Sequence, residues 1–241
     1  MSVLAGSPFA GARIAVAARA AAARFLLAWV ILLGVPALTT FAAEPADARA
    51  AALRQLADTN AGRRLDAVQV LAASGTMADV EPLVRALRDA SEPVRDAAAA
   101  ALWKVWSRSG HAAVDLKLAE GSRLVSQGDL AAALVVFDDV VRTLPAFAEG
   151  WNKRATVLFL LGRHADSLRD CDEVLKRNPL HFGALSGMAQ IHAQRGDVEQ
   201  ALEVYERALA VNPNLVGAAA VLKMLEEAVE EKRKAQGGQK T

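Results

Sequence analysis

From Val114 onward the apolar residues recur at helical spacing, and the pattern restarts at a fixed interval. Trp151, Leu158 and Leu161, then Leu168, Cys171 and Leu175, mark two amphipathic stretches inside one unit. Gly128, Gly162 and Gly196 interrupt successive units in the middle, and Pro145, Pro179 and Pro213 close them, each set spaced by 34 residues. A Gly is expected just past a helix end, where positive φ carries no steric penalty. The closing Pro cannot continue the second helix and turns the chain toward the next unit. The pattern therefore predicts three helix–turn–helix copies, at 114–147, 148–181 and 182–215.

Side-chain size follows the same interval. Gly121, Ala155 and Ala189 recur in register, as do Ala133, Ser167 and Ala201, and small residues suit places where two helices cross closely. Phe137, Cys171 and Tyr205 fall where the gap widens. An added methylene at a tight crossing costs about 1–3 kcal/mol. After the third proline, Leu215, Ala218, Leu222, Leu225 and Val229 form an apolar stripe, with Lys223, Glu226, Glu227, Glu230 and Glu231 on the other side. This predicts a capping helix over 216–235 that closes the last interface. KRKAQGGQKT has no apolar periodicity and reads as a frayed end, with 236–241 a flexible tail.

The copies also resemble a known family. Its aromatic-first signature is clearest in copy two, with Trp151, Ala155, Leu158, Gly162 and Pro179. Copy three keeps Ala189, Gly196, Ala201, Tyr205, Ala208 and Pro213, while in copy one Lys117 and Glu120 replace two apolar residues. On these residues the segment 114–215 resembles the tetratricopeptide repeat family. The resemblance implies an all-α fold, a right-handed α-solenoid of helix–turn–helix repeats, whose concave side is lined by the first helix of each copy.

Carried over position by position, it implies a partner groove at Leu118 and Ser122 in copy one, then Asn152, Lys153, Thr156, Phe159 and Leu160 in copy two. Copy three contributes Ser186, Gln190 and Gln194. Family members that clamp an acidic peptide C-terminus use lysine, asparagine and arginine where Leu118, Ser122, Gly183 and Gly187 stand here. The resemblance thus implies a protein or peptide partner with apolar anchors, met by Phe159 and Leu160, with one positive charge at Lys153. The alternative is that these residues only pack between repeats.

Residues 47–110 are helical in pattern but do not follow the 34-residue interval. A helix, a break at Ala90–Glu92 and a second helix opening at Pro93 are expected, with Ser91 as cap. Asp89, Val94 and Arg95, followed by the alanine run Ala97–Ala101, resemble a HEAT repeat, a family in which such Asp and Arg side chains link neighbouring units. Trp103 and Trp106 are three apart on one face and are expected to seal this block against copy one. Their alternative role is an exposed aromatic anchor for a partner.

The N-terminus carries a different signal. Residues 1–43 hold no acid and no lysine, only Arg13, Arg19 and Arg24, and FLLAWVILLGVPAL runs from Phe25 to Leu38. Thr40 and Ala42 then offer small residues at the spacing of a cleavage site. This reads as a secretory signal peptide over 1–43, cleaved after Ala42 or Ala43, and predicts a bacterial periplasmic protein. An uncleaved inner-membrane anchor and an organellar presequence are the alternatives. Removing three of 28 basic residues and none of 27 acidic ones turns the formal charge of +1 into about −2. No clustered basic face suggests nucleic acid. Cys171 is the single cysteine and sits at a repeat core position, where it serves as a small hydrophobe.

Nothing in the sequence converges on chemistry. His111, His164, His181 and His192 do not pair at metal-ligand spacing, and His164 and His181 fall in predicted turns. No Gly-rich phosphate loop is present, so neither metal nor cofactor nor small-molecule substrate is expected. The sequence therefore points to a non-enzymatic interaction scaffold of the cell envelope, with membrane contact only if the leader stays attached. The alternatives are a self-associating solenoid, in effect a homo-oligomer, and a metal-dependent enzyme.

Overall fold

The computed structural model describes residues 45–238; the signal-peptide reading and the last three residues lie outside them. All secondary structure among the described residues is helical. An N-terminal block comprises α1 (Pro45–Gln55), α2 (Ala61–Ser74), a 3-10 turn at Met77–Asp79, α3 (Val80–Ala86) and α4 (Glu92–Trp106). The three copies follow as α5 (Ala112–Ser126) with α6 (Leu130–Thr143), α7 (Ala148–Leu160) with α8 (His164–Arg177), and α9 (Phe182–Gln194) with α10 (Val198–Val211). The chain ends on α11 (Ala218–Gly238).

Each copy pairs its own two helices, and α6 meets α7, α8 meets α9 and α10 meets α11. That is the nearest-neighbour stacking of a solenoid. Gly128, Gly162 and Gly196 adopt φ of 81°, 72° and 77°, the left-handed conformation the helix ends require. The small crossing positions are used as expected. A Cβ on Gly121 would lie 2.5 Å from the ring of the fully buried Phe137, and the Ser167 hydroxyl donates to the Ala155 carbonyl at 2.8 Å.

The N-terminal block has its own internal pairing logic. Arg49 makes a bidentate bond to the buried Asp79, at 2.7 Å to each oxygen, and Arg64 does the same to Asp89. Arg95 reaches the carbonyls of Asp89 and Ala90. Pro93 lies in the first turn of α4, but the Ser91 side chain makes no capping bond. Asp89 accepts from the Ser91 N–H at 2.8 Å, so the residue that holds Arg64 also fixes the approach to α4.

One further expectation is corrected. The Trp pair packs chiefly beyond copy one, with Trp106 also lining a cavity beside Leu144 and Phe147. Trp106 stacks on His181 with centroids 4.2 Å apart, and both Trp103 and Trp106 meet Phe182 edge-on. The block therefore reaches past copy one to the turn between copies two and three. One apolar core runs through Val68, Leu102 and Trp106 into Phe182, Leu185 and Leu225, while Val114, Leu118, Phe137 and Val157 form a second cluster around copy one. Helix α11 continues to Gly238, and Lys232 pairs with Glu199 at 2.6 Å.

Candidate functional site

Helices α7 and α9 place the copy-two and copy-three groove residues side by side, and α11 adds a third wall. Asn152, Thr156, Phe159 and Gln190 line a small cavity of about 120 Å³ between α7 and α9. Ser186, Gln190 and Gln194 line a larger one of about 630 Å³ between α9 and α11. Gln190 belongs to both, so the two cavities adjoin along one helix face. The larger is apolar, walled by Ala189, Ala193, Leu215, Val216 and Met224, with the Tyr205 ring beside them. Val216 is fully exposed and Met224 half-exposed, two apolar side chains left in water.

Several groove positions also make internal contacts. Leu118 is buried in the copy-one cluster with Val114 and Phe137. The Ser122 hydroxyl turns back onto the Leu118 carbonyl at 2.8 Å, and Thr156 does the same to Asn152 at 2.9 Å. Phe159 is half-buried with its ring stacked near His164, and Leu160 is half-exposed. Lys153, expected as the free positive charge of the groove, has its Nζ 3.3 Å from Glu149 Oε1 and is two-thirds buried. The groove of this structure is thus less charged than the sequence implied.

Glu149 is the reason. Its side chain is fully buried. Asn152 Nδ2 donates to Glu149 Oε2 at 3.0 Å, and His181 Nε2 lies 3.0 Å from the same oxygen. The Ala184 N–H donates to His181 Nδ1 at 3.1 Å, which places the ring proton on Nε2, toward the carboxylate. A buried carboxylate is tolerable only with such partners. His181 therefore caps α9 rather than lying free in a turn, and His164 is the first residue of α8.

No group of three or more metal-binding side chains is present among the described residues. Burial, reinforced by the charges of Asp170 and Asp172, pushes the Cys171 thiol up to about 12. That is the opposite of what a nucleophile needs. On the far side of copy two, Trp151 donates to the Pro145 carbonyl and carries Arg154 and Arg177 on its ring, each 4.9 Å from the centroid. Arg154 is also bonded to Asp170 in bidentate fashion, so this cluster fastens α7 to α8.

The walls from α11 and Tyr205 were not identified as site residues from sequence. The available signal was Val216 and Met224, apolar residues that fall outside the buried stripe Leu222, Leu225 and Val229.

Residues 118–179 and 161–215 match the model of the tetratricopeptide repeat family. A TPR repeat-containing protein of Rhizobium etli is 37% identical over 108 residues, covering 45% of this chain and 53% of that protein. A tetratricopeptide repeat and J domain-containing co-chaperone of Cryptococcus neoformans is 32% identical over 89 residues, 36% of this chain and 17% of that one. The chain thus spans about half, or less, of the length of these relatives. Among solved structures, the Sgt2 TPR domain from Aspergillus fumigatus is similar at 18% identity and a TM-score of 0.49, covering 52% of this chain and 83% of that one.

Proposed function

We propose that the protein is a non-enzymatic interaction scaffold that takes a peptide segment of a partner protein, with an uncharged apolar anchor, on the face formed by α7, α9 and α11. The observation that carries this reading is the 630 Å³ cavity beside Gln190 and Gln194. Its volume lies in the range of sites that take small ligands or anchoring side chains. Its apolar walls desolvate such a side chain, and the glutamine amides offer both a donor and an acceptor to a peptide main chain. No Lys or Arg lines either cavity, so an acidic chain end would lose its hydration without a counter-charge. The TPR domain solved with the HSP90 peptide SRMEEVD binds an acidic sequence; the present face favours a different class. The leader-like residues 1–43 support placing the scaffold in the bacterial cell envelope.

The test is selection of peptides from a random displayed library on the full chain, followed by titration of synthetic hits by fluorescence anisotropy. Hits carrying Leu, Ile, Met or Phe anchors are expected, binding without strong salt dependence. Met224→Asp should weaken them by at least roughly tenfold while leaving the melting temperature unchanged, because Met224 is half-exposed. Enrichment of acidic chain ends alone, or equal binding to Met224→Asp, sinks the reading.

A further inference from the structure

The N-terminal block contacts the second and third inter-repeat turns and lines a cavity with the first. At the third turn, Arg88 donates to the carbonyls of Val211 and Ala210, and Asn214 Nδ2 donates to the Leu87 carbonyl at 2.6 Å. At the first, Met77 and Arg108 share a cavity of about 290 Å³ with Leu144 and Phe147. The second turn is the centre of the contact. Trp106 is buried there, its ring nearly parallel to His181 at 4.2 Å, while Trp103 lies over Gly183 so closely that a Cβ on that glycine would meet its Cη2 at 2.4 Å. The Trp106 indole N–H is buried without a protein acceptor. An unpaired buried donor makes an interface easier to release than a fully paired one.

From Trp106 a continuous set of contacts leads into the groove. His181 and Asn152 donate to one oxygen of Glu149, and the Lys153 ammonium stands 3.3 Å from the other as an ion pair that makes no hydrogen bond. Asn152 and Lys153 occupy the groove positions of copy two. The pull of a buried carboxylate on an amine is strong because water is excluded, and it falls steeply once water enters. Trp106 helps to exclude that water.

We propose that residues 45–106 form a latch that sets the charge of the groove. With Trp106 docked on His181, Glu149 stays dry and holds Lys153 down, so the groove presents no free cation. With the latch released, Glu149 and His181 hydrate, and Lys153 extends its ammonium into the groove. The docked form favours uncharged apolar peptides and the released form favours peptides with an acidic residue beside the anchor. This last consequence rests on the groove reading above; the docking and the lysine contact do not.

The test measures Lys153 directly in the full chain without any peptide, by brief acetylation with an amine-reactive ester and mass spectrometry, using the exposed Lys223 as internal control. Trp106→Ala is expected to raise Lys153 modification by roughly tenfold with Lys223 unchanged, and Trp106→Phe, which keeps a stacking ring, should return it close to the original rate. Arg88→Ala guards against misfolding of the Trp106 variant, since it cuts only the bonds to the third turn; it should raise Lys153 modification several-fold, by about 3-fold or more. An unchanged Lys153 rate in Trp106→Ala, or in Arg88→Ala when hydrogen exchange shows the third turn loosened, overturns the latch. Either result is read without a peptide, so it does not bear on whether the groove binds one.

Discussion

Replacing Glu149 tests the account of the buried carboxylate most directly. Its side chain is fully buried and holds His181 and Asn152 on one oxygen, each at 3.0 Å, and Lys153 beside the other at 3.3 Å. Glu149→Ala strands the His181 and Asn152 donors and leaves the Lys153 ammonium without its counter-ion. Breaking one side of a buried pair costs about 3–5 kcal/mol. At about 2–4 °C per kcal/mol for a domain of this size, that lowers the melting temperature by roughly 6–20 °C. Glu149→Gln preserves shape and one accepting oxygen, and should cost about 1–3 kcal/mol. Urea unfolding followed by circular dichroism, with an unchanged m-value, gives both numbers. If Glu149→Ala lies within about 0.5 kcal/mol of the original protein, the cluster contributes nothing and the reasoning fails.

Other consequences can be checked more briefly. Cys171, with its thiol pushed up to about 12 by burial and by the Asp170 and Asp172 charges, should resist iodoacetamide at pH 8 in the folded protein and react once denatured. Rapid labelling of the native chain would contradict its placement. Gly121→Ala puts a Cβ within 2.5 Å of the Phe137 ring and should cost about 1–3 kcal/mol; Phe137→Leu should then be less damaging in that background than alone. The Arg64 hydrogen bond, against the opposing effect of burial, holds the Asp89 carboxyl below its ordinary 3.8. A lowered folded value means stability present above that pH and lost as pH falls through the folded value. Asp89→Asn should therefore flatten the acid side of the stability profile below about pH 4, and an unchanged acid slope would argue against the pair.

The repeat architecture was legible because it is local. Glycine at a helix end and proline after the next helix are requirements of backbone geometry, and they recur in register whatever the surface does. Contacts across the fold leave no such trace. Trp103 and Trp106 announced an interface by size and spacing, but nothing in their spacing says that the partner is His181 rather than a residue of copy one. Lys153 was read as groove-facing from its repeat position. Its pairing with Glu149 depends on a carboxylate buried against His181, 32 residues away. Leu118, read as a groove residue, is buried in the copy-one cluster. The sites most visible were those where amide side chains stand on an exposed helix face, such as Gln190 and Gln194.

That same division predicts where the molecule opens first. In a simple solenoid each unit is supported only by its neighbours, and the ends fray first. Here the N-terminal block shares one core with copies two and three, so those copies are supported from two directions. Copy one keeps its own cluster around Phe137, in contact with the rest through α7. It should form a separate unit of local unfolding. Phe137 is fully buried, and Phe137→Ala removes about 3–5 kcal/mol from that cluster. Native-state hydrogen exchange is expected to show α5 and α6 losing protection in this variant, by two orders of magnitude or more, since about 1.4 kcal/mol is tenfold. Amides of α8 and α9 should keep most of theirs. Equal loss of protection in α5 and α9 would mean that copy one unfolds only with the whole chain, and that the long-range docking of the N-terminal block does not divide the core in two.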